Sequence, residues 1–381
     1  MKCRLGEICD VVSGGTPSRA TAEFWDGGTI PWIKIGNIQR KYVDEADEYI
    51  TQAGLEGSSA KMLSAGTILF TIFATLGEVG ILTIEACTNQ AIAGITIKNQ
   101  SDILTDYLYY FLKSQKSCIA ALGRGVAQNN INLSILRNFE VPIPDLPMQK
   151  QIVAILDKTA KVVEVRQQQL QQLDELVKAR FVELFGDGNH PHIALIDLII
   201  EGAGLSYGIV QPGDDGTGDM GVLRPVDMVD GKISTASIKY IDRSIGDGFK
   251  KTELYGDELL ITVRGTTGIT ALTDIRFNGM NVTRGIAVVR YDRNKINPVY
   301  LNAYLNTDES QRYIQEHTRG ATLQQINLSD LRVQQIMVPP LALQEQMAAF
   351  IEQTDKSKSV VQKALDEAQL LFDSLMQQYF G

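Results

Sequence analysis

The longest regular pattern in the chain is a spacing of seam positions that alternates four and three. It runs through Ile152, Leu156, Thr159, Val163, Arg166, Leu170, Leu173, Val177, Arg180 and Leu184. This is a heptad seam with one mainly aliphatic and one mixed position, and it predicts about 50 Å of helix that needs a partner. A second seam with the same rhythm runs through Met347, Ile351, Thr354, Lys358, Val361, Leu365, Ala368, Phe372, Leu375 and Tyr379. Polar seam members such as Thr159, Arg166, Thr354 and Lys358 would fix register at some cost in stability. The stretch VPIPDLP (141–147) forbids helix before it, so the first helix should begin near Pro147. The second has Leu341-Ala342-Leu343 there and lacks that proline. Both helices run to Phe-Gly, at 185–186 and 380–381. Two arrangements satisfy the seams: each helix packs on its own globular domain, or the two pair within the chain.

Outside the helices the apolar runs are short and bounded by glycine. They predict strands at 30–35, 67–73, 92–97, 259–263 and 286–289, with helices at 105–114 and 298–316. The pattern is α+β.

The chain also repeats itself. RGVAQNNINLSIL (124–136) returns as RGATLQQINLSDL (319–331), an offset of 195 that needs no gap to the end of the sequence. About a third of the positions in 123–186 are identical to their partners, among them Pro144/Pro339, Gln149/Gln344 and Gln151/Gln346. Upstream the likeness weakens. PWIKIGNI (31–38) resembles GVLRPVDM (221–228), GTILFTI (66–72) resembles GDELLIT (256–262), and Asn89 falls beside Asn281. The plan is a pseudo-two-fold internal repeat. Globular units at 1–145 and 187–339 have diverged, while helical units at 146–186 and 340–381 have not.

Composition narrows the function. The 381 residues carry a formal net charge of −9, and neither globular unit is basic, at −3 for 1–145 and −4 for 187–340. That argues against a generic polyanion binder. No apolar run reaches membrane-spanning length, and Glu7 and Asp10 interrupt any signal-peptide core. Cys3, Cys9, Cys87 and Cys118 form no CxxC pair, which fits reduced thiols in a cytoplasmic protein. No Walker A or HExxH motif occurs, no GxGxxG follows a strand and no GxSxG forms a strand-to-helix elbow, and His190 and His192 read as solvated loop residues. No carboxylate cluster repeats between the halves. Two halves that share a scaffold but no chemistry suit a binding protein that reads two different things.

At this point a family resemblance enters. SGGTPS (13–18), FWDGGTIPWIKIGNI (24–38), GTILFT, Asn89-Gln90 and INLSILRNFEVPIPDLPMQKQIVAILD (131–157), with the last block repeated at 326–352, resemble the specificity subunit of type I restriction–modification systems. The likeness covers essentially the whole chain. It implies two target recognition domains, each reading one half of a bipartite site on double-stranded DNA. It implies that the two spacer helices form an antiparallel intramolecular coiled coil that sets the half-site separation. It implies no catalysis and no cofactor in this chain. Methyltransferase subunits would dock on it and bring S-adenosylmethionine. Restriction subunits, joined through them, would bring ATP and Mg2+. A specificity subunit of a related type II system and a coiled-coil scaffold without a DNA role are the alternatives.

Under that resemblance, the residues for DNA contact are those on Gly-rich loops and strand ends. In the first unit they are Ser13, Gly14, Gly15, Thr16, Ser18, Arg19, Lys34, Asn37 and Thr75. In the second they are Tyr207, Arg224, Asp227, Arg264, Thr266, Thr267 and Arg284. Arg224 and Arg264 lead, because an arginine fork matches guanine O6 and N7. The segment 202–207 is a loose counterpart of SGGTPS, and VRGTTG (263–268) corresponds to the run starting at Phe73. Trp25 and Trp32 read as core.

Overall fold

The computed structural model describes residues 2–116, 131–213, 216, 218–229 and 231–381. Cys118 and the first part of the repeated segment, Arg124 to Asn130, lie outside the described residues. The chain divides into two units: 1–168 with 362–381, and 169–361.

In the first unit a five-stranded sheet runs in the order Cys9–Ser13, Ile92–Ile97, Ile68–Thr71, Val79–Leu82, Tyr42–Val43. A three-stranded sheet runs Glu48–Ile50, Ile30–Ile33, Cys87–Thr88. Strand Ile68–Thr71 is buried on both faces, as an apolar run without alternation demands. Ile68 and Phe70 point into one core and Leu69 into another. The first core includes the helix Thr105–Ser114, which buries every residue from Tyr107 to Leu112. Lys41 lies between this helix and the first long helix, its Nζ 2.7 Å from Asp106 and 2.6 Å from Asp157.

The second unit repeats the plan. Strand Met220–Leu223 lies between Lys239–Ile241 and Asn281–Val282, antiparallel to the first and parallel to the second. Ile30–Ile33 lies in the same way between Glu48–Ile50 and Cys87–Thr88. Leu259–Leu272 pairs with Ile286–Val289 and Gln324–Gln325. It turns back on itself at Gly265 and Gly268, both with φ of 89°, so that Thr273 N–H donates to Glu258 O at 2.8 Å.

The pairings correct the upstream alignment. Ile33 is paired with Thr88 and Leu223 with Val282. Asn89 N–H donates to Ile33 O as Thr283 N–H donates to Leu223 O. Asn89 therefore corresponds to Thr283, and Asn281 to Cys87. Likewise Ile131 N–H donates to Ile72 O and Ile326 N–H to Val263 O, each at 3.0 Å. Arg264 therefore occupies the place of Phe73.

The long helices are Leu146–Phe185 and Leu341–Phe380, each of 40 residues. The first starts one residue before Pro147, where Asp145 Oδ1 accepts Met148 N–H at 3.0 Å. The second starts directly after Pro340 without an internal proline. None of the seam positions named above is exposed. Ile152 and Leu156 share one core with Phe372, Met376 and Phe380. Val177 and Leu184 share another with Met347 and Ile351. Each unit thus holds the start of one long helix beside the end of the other.

The expected helix 298–316 is two helices, Pro298–Leu305 and Asp308–His317. Thr307 breaks it, accepting Ser310 N–H through its hydroxyl in the manner of an N-cap, while Asn306 Nδ2 donates back to Asn302 O at 2.7 Å.

Candidate nucleic-acid interface

The loop 13–19 is shaped by a close backbone approach. Gly14 N–H donates to Ile92 O at 3.1 Å and Gly15 N–H to Thr88 O at 2.8 Å. A Cβ on Gly14 would lie 2.2 Å from Thr88 Oγ1 and 2.4 Å from Thr88 O, so only glycine fits. Beneath the loop, Trp32 Nε1 donates to Gly15 O at 2.9 Å and Trp25 Nε1 to Ser18 O at 3.0 Å. The indoles stack edge-on, with ring centroids 5.1 Å apart. They are scaffold for the loop.

The loop presents Thr16, Ser18 and Arg19 to solvent, with Ser13 and Gly14 half-buried and Gly15 buried. Thr16 Oγ1 donates to Gln90 Oε1. The Arg19 guanidinium lies 3.6 Å from the Trp25 ring centroid and pairs with Glu48. Glu48 also takes Lys34 Nζ at 2.5 Å. The hydrogen bond from Lys34, and then that from Arg19, holds the Glu48 carboxyl below the usual glutamate value. Asn37 Oδ1 accepts the Lys34 backbone N–H at 2.9 Å. Thr75 is exposed, next to Ala74 at φ 59°.

In the second unit the counterpart of SGGTPS is 207–212. Tyr207 is bridged to Ala287 as Ser13 is paired with Ala93. A Cβ on Gly208 would lie 2.0 Å from Val282 O, and Ile209 N–H donates to that carbonyl at 2.8 Å. Of the expected 202–207, only Tyr207 belongs to this loop. The glycine pressed against a strand identifies it, and small residues alone do not.

Arg224 and Asp227 stand where Lys34 and Asn37 stand in the first unit. Asp227 accepts the Arg224 backbone N–H at 2.8 Å and both arms of its fork, at 3.1 and 3.0 Å. Arg224 Nη2 also donates to Ser237 O. Asp227 is fully buried. This arginine's fork is already spent and Asp227 faces no solvent, so the pair braces the strand end. Thr267 is buried, its hydroxyl 3.0 Å from that of Thr318, while Thr266 is exposed at the turn.

Arg264 and Arg284 differ from Arg224. Among the described residues, neither side chain makes a hydrogen bond or ion pair. Arg264 is paired in register with Gln325, and Gln325 exchanges backbone hydrogen bonds with Arg319, both at 2.8 Å. Sequence reasoning assigned the Arg319 segment to the repeated framework and so passed over Arg319, Gln324 and Gln325. The available signal was an exposed Arg-Gly held identical inside a diverged unit. Among the described residues, no group of His, Cys, Asp or Glu stands where it would hold a metal ion. Cys3, Cys9 and Cys87 are free thiols, with burial pushing Cys9 to about 12 and Cys87 to about 11.

Two α+β units, each opening a glycine loop and a strand end to solvent, define a duplicated recognition protein. The family model described as the type I restriction modification DNA specificity domain matches residues 1–175 and 219–369, and the chain belongs to this family. It is similar to the MjaIX specificity subunit of Methanocaldococcus jannaschii, with 22% identity over 376 residues, 92% of this chain and 85% of that one. It is 33% identical to the EcoR124I/EcoR124II specificity subunit of Escherichia coli over 160 residues, 40% of this chain and 39% of that relative's length. Among solved structures, the type I S subunit of M. genitalium matches with a TM-score of 0.58 at 15% identity, covering 100% of this chain and 96% of that one. A chain from a structural study of type I complex assembly and conformational transition matches with a TM-score of 0.54 at 16% identity, covering 100% and 97%. The resemblance and the α+β duplicated fold expected from the sequence are both borne out. Among the described residues, no helix is long and apolar enough to cross a membrane.

Proposed function

We propose that this chain is the non-catalytic DNA-specificity subunit of a type I restriction–modification complex. Each globular unit reads one half of a bipartite site. The long helices pair antiparallel and set the gap. Methyltransferase subunits dock on it and carry S-adenosylmethionine, and restriction subunits that use ATP and Mg2+ join through them. Its place is the cytoplasm, where that DNA is. The observation that carries this reading is the contrast between framework and loops. Buried framework residues recur at matched places, as in Ile131/Ile326, Leu136/Leu331 and Gln149/Gln344, while loops and strand ends carry different chemistry: Thr16 and Arg19 in one unit, Val210 and Arg264 in the other.

The test is methylation-site mapping in a host expressing this chain with its cognate methyltransferase subunit. A bipartite motif with a fixed gap is expected. Stable co-purification with active methyltransferase and no motif overturns the reading. The net charge of −9 is the one observation that favours a scaffold without a DNA role. It also predicts weak DNA binding by the isolated chain, since phosphate neutralisation dominates non-specific affinity. An isolated chain that shifts DNA at physiological salt as tightly as the complex contradicts that assignment of the electrostatic grip to the partners.

A further inference from the structure

Two arginines of the second unit fall in one row across its sheet, with a third on the turn beside them. Thr262 is paired with Ile286 in antiparallel register. The pairing ends there: Ile286 N–H donates to Thr283 O at 3.0 Å, closing a turn through Arg284 and Gly285, and Gly285 O accepts both Val263 N–H at 2.7 Å and Arg264 N–H at 3.3 Å. On the other side Arg264 is paired with Gln325, and Gln325 is bridged to Arg319. Directly paired residues of antiparallel strands project from the same face. The order across the sheet is therefore Arg264, Gln325, Arg319, with Arg284 on the turn that adjoins Arg264.

Like charges brought to one face of a sheet repel, and folding alone gives no reason to keep them. Within the row no acid intervenes. Among the described residues Arg319 has only Asp330, with Nη2 to Oδ2 at 3.8 Å, beyond hydrogen-bond reach, and its side chain is 74% exposed. Asp330 Oδ2 is buried and has no hydrogen bond of its own. That carboxylate orients Arg319 without using its donors. Arg264 and Arg319 in the row, and Arg284 on the adjoining turn, hold guanidinium forks that are not spent, which suits a line of phosphates and base edges.

We propose that this row is the DNA-gripping edge of the second recognition unit, with Arg319 on a backbone phosphate and Arg264 on a base edge. This rests on the DNA-recognition reading above. The division of labour follows from the internal repeat. Arg319-Gly320 is the same in both halves of the sequence, as a contact blind to base identity would be. Arg264 replaces Phe73 of the other unit, as a contact specific to one half-site would. Arg284 extends the positive edge beyond Arg264.

The experiment measures duplex affinity of the complex of this chain with its methyltransferase subunit over a range of salt, using the methylation motif as the cognate duplex. Arg319→Gln should lower the slope of log affinity against log salt by about 1, weaken cognate and altered duplexes alike, and leave the motif unchanged. Arg264→Ala should cut discrimination at the second half-site by about five- to a hundredfold and leave the first half-site intact. Arg264→Lys should keep the salt slope and lose the discrimination, because a point charge lacks the fork. Arg276→Gln removes a charge of the same unit already committed to Asp274 at 2.7 Å, and should change neither quantity. Matching thermal melts establish that each variant is folded. An unchanged slope in Arg319→Gln, or an equal loss in Arg276→Gln, overturns the row while the DNA reading stands. A wild-type complex that binds no duplex removes the DNA reading and the row with it.

Discussion

Gln149 shows why some residues are held identical between the two halves. It is fully buried; its Oε1 accepts Leu104 N–H at 2.9 Å and its Nε2 donates to Asp102 O and Pro144 O, each at 2.9 Å. Gln344 repeats this with Asn297 N–H at 2.8 Å and Pro339 O at 2.7 Å. The amide ties the start of a long helix to the start of a recognition-unit helix, and a buried backbone donor left alone is costly. Gln149→Leu is expected to destabilise the protein by about 1–3 kcal/mol, measured by denaturant unfolding, with Gln344→Leu giving a similar loss. Charge supplies a second prediction at this scale. Burial alone would lower Lys41, yet its hydrogen bonds to Asp106 and Asp157 hold it above the ordinary lysine value. A raised folded value means stabilisation that is fully present below the ordinary lysine value and lost as pH rises through the raised one. The stability gap between the wild type and Lys41→Met is therefore expected to shrink in strongly alkaline buffer. A gap independent of pH would show that Lys41 acts by packing alone.

At the scale of elements, the glycine loops are set by contact with a strand and the long helices by their seams. A Cβ at Gly208 would meet Val282 O at 2.0 Å. Gly208→Ala must therefore push the loop off the Asn281–Val282 strand. The expected result is fast amide exchange at Ile209, whose N–H donates to Val282 O, with slow exchange kept at Val288 in the neighbouring sheet. Both changes are checked by hydrogen-exchange mass spectrometry. Phe372 lies 6.3 Å from the Tyr110 ring, inside the core that also holds Ile152 and Leu156. Phe372→Ala is expected to cost about 3–5 kcal/mol, as an aromatic removed from a packed core does. Exposed Leu370, two residues earlier on the same helix, should tolerate alanine with little change. The seam was legible because a period of seven survives any backbone detail. The helix break at Asn306-Thr307 was missed because a threonine inside a helical pattern becomes a cap only when its hydroxyl turns to the backbone. Residue type alone does not report that choice.

At the scale of the whole molecule, duplication sets the architecture. Each unit builds corresponding sheets, with fewer strands in one sheet of the second, and takes the start of one long helix and the end of the other into its core. If the helices act as a ruler between readers, removing one heptad from both should shorten the gap in the methylation motif and leave both half-sites unchanged. Heptad spacing keeps the seam in phase through such a deletion. Altered half-sites with an unchanged gap would refute the ruler.

The sequence by itself determined the duplication, the two long helices, their seams and the family. Each is written in periodicity or in residues repeated at a constant offset, and neither depends on where the chain folds. Only the tertiary structure decided which arginine is spent and which is open. Arg224 and Arg264 look alike in sequence, each at the end of an apolar strand. Asp227 is fully buried and takes both arms of the Arg224 fork, whereas Arg264 meets the backbone of Gln325 and Gly285 and keeps its fork. Strand register likewise brought Arg319 into line with Arg264, across 55 positions of sequence. Pairing between distant strands is fixed by the packing of both faces, and that information is spread over the whole core.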